Sequence, residues 1–391
     1  MFETCTRLAK KGHSIAHVPI GMANKMGIQK FEESVWIYPS GAHPFAEDVA
    51  VNHYYEFKAD LLVTIKEPWC FSHLHHQSLN FVPMAIIDHS PVSAAITSRL
   101  HTAFDVIAIS RFGQRELKNK GIDSVYIPHG VDTSVFRPIP EHRDAYRKMW
   151  FFDPDDFVVG IVCRNQSRKM ISRMLRGYKR FVELNPDVKT KLMLWTSFRP
   201  GSDPEYAPMG ISDVTVDLLP EIIELGLNDY VHLPDKALID RGIPDWTGED
   251  PASGHDMVKL YNAFDVLLGC TGGEGFGMIY VEAQSSGIPV ISTDYAAGPE
   301  QVGAGLVVPA NDYVILNTPG TRYALADIEK MAEALTKIYN ANRVKLARKA
   351  RAFALRYDWN NIIDNYWKPF LSRCESKLKP LWTKGGWTKW D

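Results

Sequence analysis

Along the chain, short runs of β-branched and apolar residues alternate with longer stretches in which apolar positions recur every three or four residues. That alternation is the pattern of βαβ units building parallel sheets. Segments 14–20 (SIAHVPI), 59–65, 82–88, 105–110 and 124–128 predict the strands of a first half. Segments 156–163 (DFVVGIVC), 191–197, 229–234, 265–270 and 288–293 predict those of a second. Helices are expected between them. In DMVKLYNAF, for example, Met257, Leu260, Tyr261 and Phe264 stand at i, i+3, i+4 and i+7 and define one apolar face. Residues 135–156, rich in proline and charge, mark the boundary region, which predicts domains at 1–150 and 151–355. The remainder, 356–391, reads as an aromatic-rich helix followed by a tail broken by Pro380, Gly385 and Gly386.

The first half opens unusually. A doubly wound domain ordinarily begins with a strand and a tight glycine turn into its first helix. Here Phe2, Leu8 and Ala9 read as a helix leading into Gly12, and the first strand candidate comes only afterwards. The first domain is therefore expected to be shortened at its start, or to fill that strand's place from elsewhere, with reduced activity as a consequence.

Composition narrows the class. A length of 391 residues favours two domains, and 45% hydrophobic with 23% charged residues is a soluble, globular balance. With 44 basic and 46 acidic residues there is no global case for nucleic-acid binding. No apolar run approaches the ~18 residues that span a bilayer, and the start lacks the apolar core of a signal peptide. Cysteines 5, 70, 163, 270 and 374 contain no CxxC pair, which points to free thiols in a reducing, cytoplasmic compartment.

The chemistry gathers in the second half, because loops following parallel strands converge at the carboxyl edge of a sheet. CRNQSRK, after the strand at 156–163, offers Arg164, Arg168 and Lys169. TGGEGFGMIYVEAQSSGIPVIST (271–293) follows the strand at 265–270. Its glycines let backbone approach a ligand closely, and a helix starting near Phe276 to Met278 and ending before Gly287 would turn its N–H groups and positive dipole end toward an anion. Cations from one loop and a helix start from the other suit a diphosphate. Glu274 and Glu282 would repel that diphosphate directly, so they are expected to accept hydrogen bonds from hydroxyls, as on a ribose and a sugar. The plainer alternative is a glycine loop chosen for tight packing, with two solvated glutamates; the glycines alone would favour it, and the basic loop together with the paired acids favours a ligand.

These residues resemble the GT-B retaining glycosyltransferases of glycosyltransferase family 4. The resemblance rests on EGFGMIYVEA (274–283) with its E-x7-E spacing, on SGIPVIST, GPEQV and GAGLVVP after it, on GIVCRNQSRK (160–169), and on ISRFGQRELKNKGIDSVYIPHGVDTSVFRP (109–138). It implies an α/β fold of two facing Rossmann-like domains, the first taking an acceptor and the second a nucleotide-sugar donor, with the 356–391 helix packing back toward the first. Carried over by position, Arg164 and Lys169 would hold the donor diphosphate, Glu282 the ribose and Glu274 the transferred sugar, with backbone at Gly275, Phe276, Gly277 and Met278 meeting sugar and phosphate. His89 matches a histidine beside the reaction centre, although here Asp88 precedes it where the family commonly has His–Asp. The implied reaction is retaining transfer by front-face attack, needing no metal or other cofactor and no covalent intermediate, since Arg164, Lys169 and the helix end can stabilise the leaving charge. The catalytic set is thus Glu274, His89, Lys169 and Arg164. The donor base, the sugar, the acceptor (glycan, lipid or protein) and the oligomeric state are not readable, and the insertion 235–254 borders the base region.

Other readings compete. A sugar-nucleotide epimerase or a phosphorylase would fit the same plan, but a phosphorylase needs a lysine-bound pyridoxal phosphate for which no clear motif is present. A donor-binding subunit without turnover is the non-enzymatic alternative. His73, His75 and His76 in SHLHHQ suggest zinc but read better as a loop facing solvent or acceptor. The acids of DPDD (153–156) read as a turn before a strand rather than a metal motif, and Cys163 and Cys270 as buried small hydrophobes. Trp382, Trp387 and Trp390 could give weak contact with a membrane surface, though anchoring on their own domain is the commoner use.

Overall fold

The computed structural model describes residues 2–20, 27–196, 216–233, 251–316 and 320–384. Residues 235–250 of the insertion, and Trp387 and Trp390 of the tail, lie outside the described residues. Of Trp382 only the backbone is described, within the helix Lys368–Lys384.

All five predicted strands of the second half form: Phe157–Val162, Thr190–Trp195, Val231–His232, Val266–Gly269 and Val290–Thr293. A sixth, Gly305–Val308, joins them in one parallel sheet. Numbered along the chain, the spatial order is 3-2-1-4-5-6, the doubly wound arrangement. Every residue of Phe157–Val162 is buried, as expected for a parallel strand covered on both faces. One cover is made by Ile171–Leu184 and Ile328–Tyr339, which bring Met174, Phe181, Met331 and Leu335 onto the sheet. The other is made by Pro251–Ala263 and Met278–Ser285, through Leu260, Tyr261, Tyr280 and Ala283. The boundary region contributes the short helix Arg143–Met149. It is docked by Arg147, which donates to Asp265 Oδ2 at 2.6 Å and to the carbonyls of Pro154 and Asp156 at 2.8 and 2.9 Å.

In the first half, Leu62–Ile65, Phe81–Ala85, Ile107–Ala108 and Val125–Tyr126 form a four-stranded parallel sheet in sequence order. Phe2–Ala9 is a helix, matching the reading of the N-terminal stretch. The strand expected at 14–20 is short, Ile15–His17, and does not join that sheet. It pairs with Val35–Ile37, beside Gln29–Glu32, in a separate three-stranded sheet that the sequence pattern did not predict. The last helical segments return to the first half: Trp359, Ile362, Trp367 and Phe370 share a buried cluster with Leu8, Val82, Met84 and Ile107.

Candidate functional site

In a 3-2-1-4-5-6 sheet the order reverses between the first and fourth strands, and the loops leaving their carboxyl ends open a crevice there. Those strands are Phe157–Val162 and Val266–Gly269. The loops that leave them are the two singled out in the sequence, carrying Arg164 to Lys169 and Gly272 to Gly277. They are pinned to each other, Gly272 N–H donating to the Arg168 carbonyl at 2.8 Å. Side chains then converge. Lys169 Nζ donates to Glu274 Oε1 at 2.6 Å, and Glu274 is only 8% exposed. Arg168 Nη1 stands 3.9 Å from Glu274 Oε2, 3.9 Å from Asp88 Oδ2 and 3.4 Å from the Gly273 carbonyl. Two cations and two carboxylates, one of them from the first half, thus meet at the reversal point. Burial would raise Asp88, but the hydrogen bond from His89 and the charges of Arg168 and Lys169 outweigh it and hold the carboxyl below its ordinary value. Burial works against the Arg168 cation too, yet Glu274 and Asp88 more than compensate and raise it.

The glycine loop also meets the other half. A Cβ on Gly273 would stand 2.2 Å from the Asp88 carbonyl oxygen, and one on Gly275 2.5 Å from Ile86 Cγ2. These glycines therefore permit the closure of one half on the other. Gly277, at φ +89°, turns the chain into the helix Met278–Ser285, a left-handed conformation that only glycine adopts cheaply. At the far end Gly287, at φ +81°, terminates that helix as expected. Two further contacts cross between the halves. Ser90 N–H donates to Tyr295 Oη at 2.8 Å, and the Glu300 carboxylate accepts from the backbone N–H groups of Arg111, at 2.8 Å, and Phe112 at the start of the helix Arg111–Lys118.

The predicted site residues are not all disposed alike. Lys169 and Glu274 are paired. Arg164 lies half-buried just past its strand, and Arg168, which an Arg–x4–Lys spacing passes over, is the arginine beside Glu274 and Asp88. Glu282 turns its carboxyl inward to accept from Tyr261 Oη at 2.9 Å, and burial pushes it up to about 7. Phe276 sends its ring into the first half's core, edge-on to His129 at 5.2 Å, where burial lowers His129 to about 4. Met278 packs partly buried against the same cluster. His89 is 2% exposed, with Nδ1 2.8 Å from Asp88 Oδ1. Its Nε2 accepts from Ser93 N–H at 3.3 Å, which places the proton on Nδ1. Both ring nitrogens are thereby engaged, and Asp88 is the residue of this pair that faces Arg168. The sequence reading offered Arg168 in the basic loop but gave it no role of its own, and it missed Asp88, whose only signal was its adjacency to His89.

Other candidates resolve simply. Among the described residues, His73, His75 and His76 do not gather as a ligand set, and the backbone N–H groups of Ser72, His73 and Leu74 are held by Glu47. Asp153, Asp155 and Asp156 do gather, but Lys189 Nζ sits 2.8 and 3.0 Å from the first two. All five cysteines are buried and unpaired, and burial pushes Cys163 up to about 12. No described helix is long and apolar enough to cross a membrane.

This arrangement, two parallel α/β sheets meeting at the carboxyl ends of their strands, is shared with solved structures. A sucrose-phosphate synthase of Thermosynechococcus elongatus matches 97% of this chain and 92% of its own, with TM-score 0.71 and 18% identity. HepE of Anabaena, solved in complex with UDP and glucose, matches 86% of each chain, with TM-score 0.63 and 18% identity. The fold is that of the GT-B class. In sequence, residues 220–340 match the model of the family described as Glycosyl transferases group 1. A D-inositol 3-phosphate glycosyltransferase of Saccharomonospora viridis is 28% identical over 240 residues, 60% of this chain and 47% of that protein. The chain spans about half the length of the curated relatives it matches. It carries a glycosyl transferases group 1 domain.

Proposed function

We propose that the protein is a retaining glycosyltransferase that moves a sugar from a nucleoside-diphosphate sugar to an acceptor hydroxyl. The reading is carried by one observation, the convergence of Arg168 and Lys169 with Glu274 where the strand order reverses. The donor diphosphate takes Lys169 and its neighbouring arginines, Arg164 and Arg168, releasing Glu274 to accept from hydroxyls of the transferred sugar. Glu282 accepts from the ribose. The departing phosphate oxygen takes the acceptor proton in a front-face displacement, and the cations with the Met278–Ser285 helix start stabilise the charge left on it. No metal enters this scheme, so EDTA is expected to leave the rate unchanged. That HepE was solved with UDP and glucose makes UDP-glucose the first donor to try. The acceptor is a glycan, lipid or protein hydroxyl, and the five buried free thiols suit cytoplasmic residence.

The test begins with UDP-, GDP- and ADP-sugars in a thermal-shift screen, since a ligand of the native state raises its apparent stability. Acceptor-dependent release of nucleoside diphosphate then gives turnover. Glu274→Ala is expected to lower turnover by about 10²–10³ with nucleotide binding kept, and Lys169→Ala to weaken both. A kinetically silent Glu274→Ala would overturn the assignment.

A further inference from the structure

On the edge of the six-stranded sheet opposite the glycine loop lies a second concavity, of about 280 Å³. Its floor is the amino ends of three neighbouring strands, at Phe157, Asp265 and Pro289. Its walls are apolar, with Pro138, Ile139, Ile288, Val344 and Leu346 among them. Val344 is a large apolar side chain left 62% exposed there.

The polar groups of this cavity are unbalanced toward positive charge. Arg143 and Arg343 both reach Asp265 Oδ1, at 2.8 and 2.9 Å, while Arg147 takes Oδ2. Three guanidiniums therefore share one carboxylate, and Asp144 adds a further negative charge to the field at Arg143. Burial, with Arg147 and Arg343 as like-charged neighbours, holds Arg143 down to about 10 despite Asp265. A cation so placed gains from any further anion. The helix Arg343–Ala354 begins at the same place and adds its positive end.

We infer that this cavity is a binding site for a small amphipathic carboxylate, separate from the nucleotide-sugar cleft. The two oxygens of the head match the N–H groups of Arg143 and Arg343. A short hydrocarbon body covers Pro138, Ile139 and Ile288. A nucleotide or free phosphate suits the site poorly, because the apolar walls would leave its remaining oxygens without partners.

Sodium octanoate, below its micellar concentration, is the probe, with 1-octanol as the uncharged counterpart, both titrated into the full chain by thermal shift and calorimetry. Octanoate is expected to saturate and raise Tm, octanol to do neither, and UDP to leave octanoate affinity unchanged. Arg343→Gln is expected to weaken octanoate binding at least about fivefold, the equivalent of one charged contact of about 1 kcal/mol. That substitution is at a half-exposed side chain and leaves Asp265 with Arg143 and Arg147. Ala347→Trp, filling the mouth, is expected to abolish binding; if it does not fold, octanol and Arg343→Gln decide. Equal effects of octanoate and octanol, no saturation, displacement by UDP, or undiminished binding by Arg343→Gln would each overturn the assignment.

Discussion

Replacing Gly273 by alanine tests the contact on which the candidate site depends. The added Cβ would stand 2.2 Å from the Asp88 carbonyl oxygen, where ordinary contact begins at 3.4 Å. The obstacle is backbone, in the first half, so relief requires the two strand ends to part by roughly that difference, about 1.2 Å. Overpacking of this kind costs about 1–3 kcal/mol. In a domain of 150–250 residues, each kcal/mol lowers Tm by about 2–4 °C. The larger effect falls on geometry, since Asp88, Arg168 and Glu274 meet across this contact and a displacement near 1 Å costs a reaction about 10²-fold. Turnover is thus expected to fall about 100-fold, while nucleotide affinity, held within the second half, changes little. Gly275→Ala meets a side-chain methyl at 2.5 Å, which can shift, and should do less harm. Gly27→Ala meets nothing within 4 Å and serves as the control. Wild-type Tm and turnover in Gly273→Ala would show that the halves do not close on this glycine.

Three further outcomes follow from buried or bridging charge. Because Glu282 is lifted from 4.5 to about 7, the native state holds its proton more tightly than the unfolded chain, so stability falls as pH rises across that window. Glu282→Gln should remove this slope and gain on the order of 1–3 kcal/mol over wild type at pH 8 but not at pH 4, read from urea midpoints; parallel curves would contradict it. Arg147→Ala leaves the carbonyls of Ala263, Pro154 and Asp156 without their donor and should cost about 3–5 kcal/mol in the same assay. Glu300→Ala removes the acceptor of two N–H groups at the start of Arg111–Lys118, a loss of about 1–2 kcal/mol, with faster proteolysis of that segment as an independent readout.

The second half was the more legible in sequence, for a physical reason. Its strands are buried on both faces and so appear as unbroken apolar runs, and its helix Met278–Ser285 is bounded by glycines that take positive φ. The strand Gly305–Val308 escaped because it is short and edge-placed, with only Val308 fully buried. The antiparallel hairpin Ala310–Leu316 and Thr321–Ala326 escaped because its first strand is mostly exposed and polar at intervals. In the first half, Gln29–Glu32 is exposed at every position and carries no apolar pattern at all. At the site, Lys169 and Glu274 were each singled out by the motifs that carry them, one for the diphosphate and one for the sugar, and not as a pair. The meeting of Asp88 with Arg168 was not legible at all, since what brings them together is contact between two sheets, about which local sequence is silent. The glycines at 273 and 275 read as space for a ligand, whereas the neighbour they admit is the other half of the molecule.

The chain crosses between its halves twice, and the two crossings lie side by side. Val131 N–H donates to the Tyr357 carbonyl at 2.8 Å and Trp359 N–H to the Val131 carbonyl at 3.2 Å. Thr133 Oγ1 donates to Asp358 Oδ2 at 2.5 Å, and Arg351 ties the carbonyls of Thr133, Phe136 and Ser285 together. Two adjacent covalent connections stitched in this way behave as a door hinge, suppressing sliding and twisting and leaving rotation about the seam. Phe276 of the glycine loop packs edge-on to Tyr357 at 5.7 Å, in one cluster with Val131 and Trp359 of that seam. A change of angle at residues 131–136 is therefore passed to the glycine loop, where the chemistry is proposed to occur.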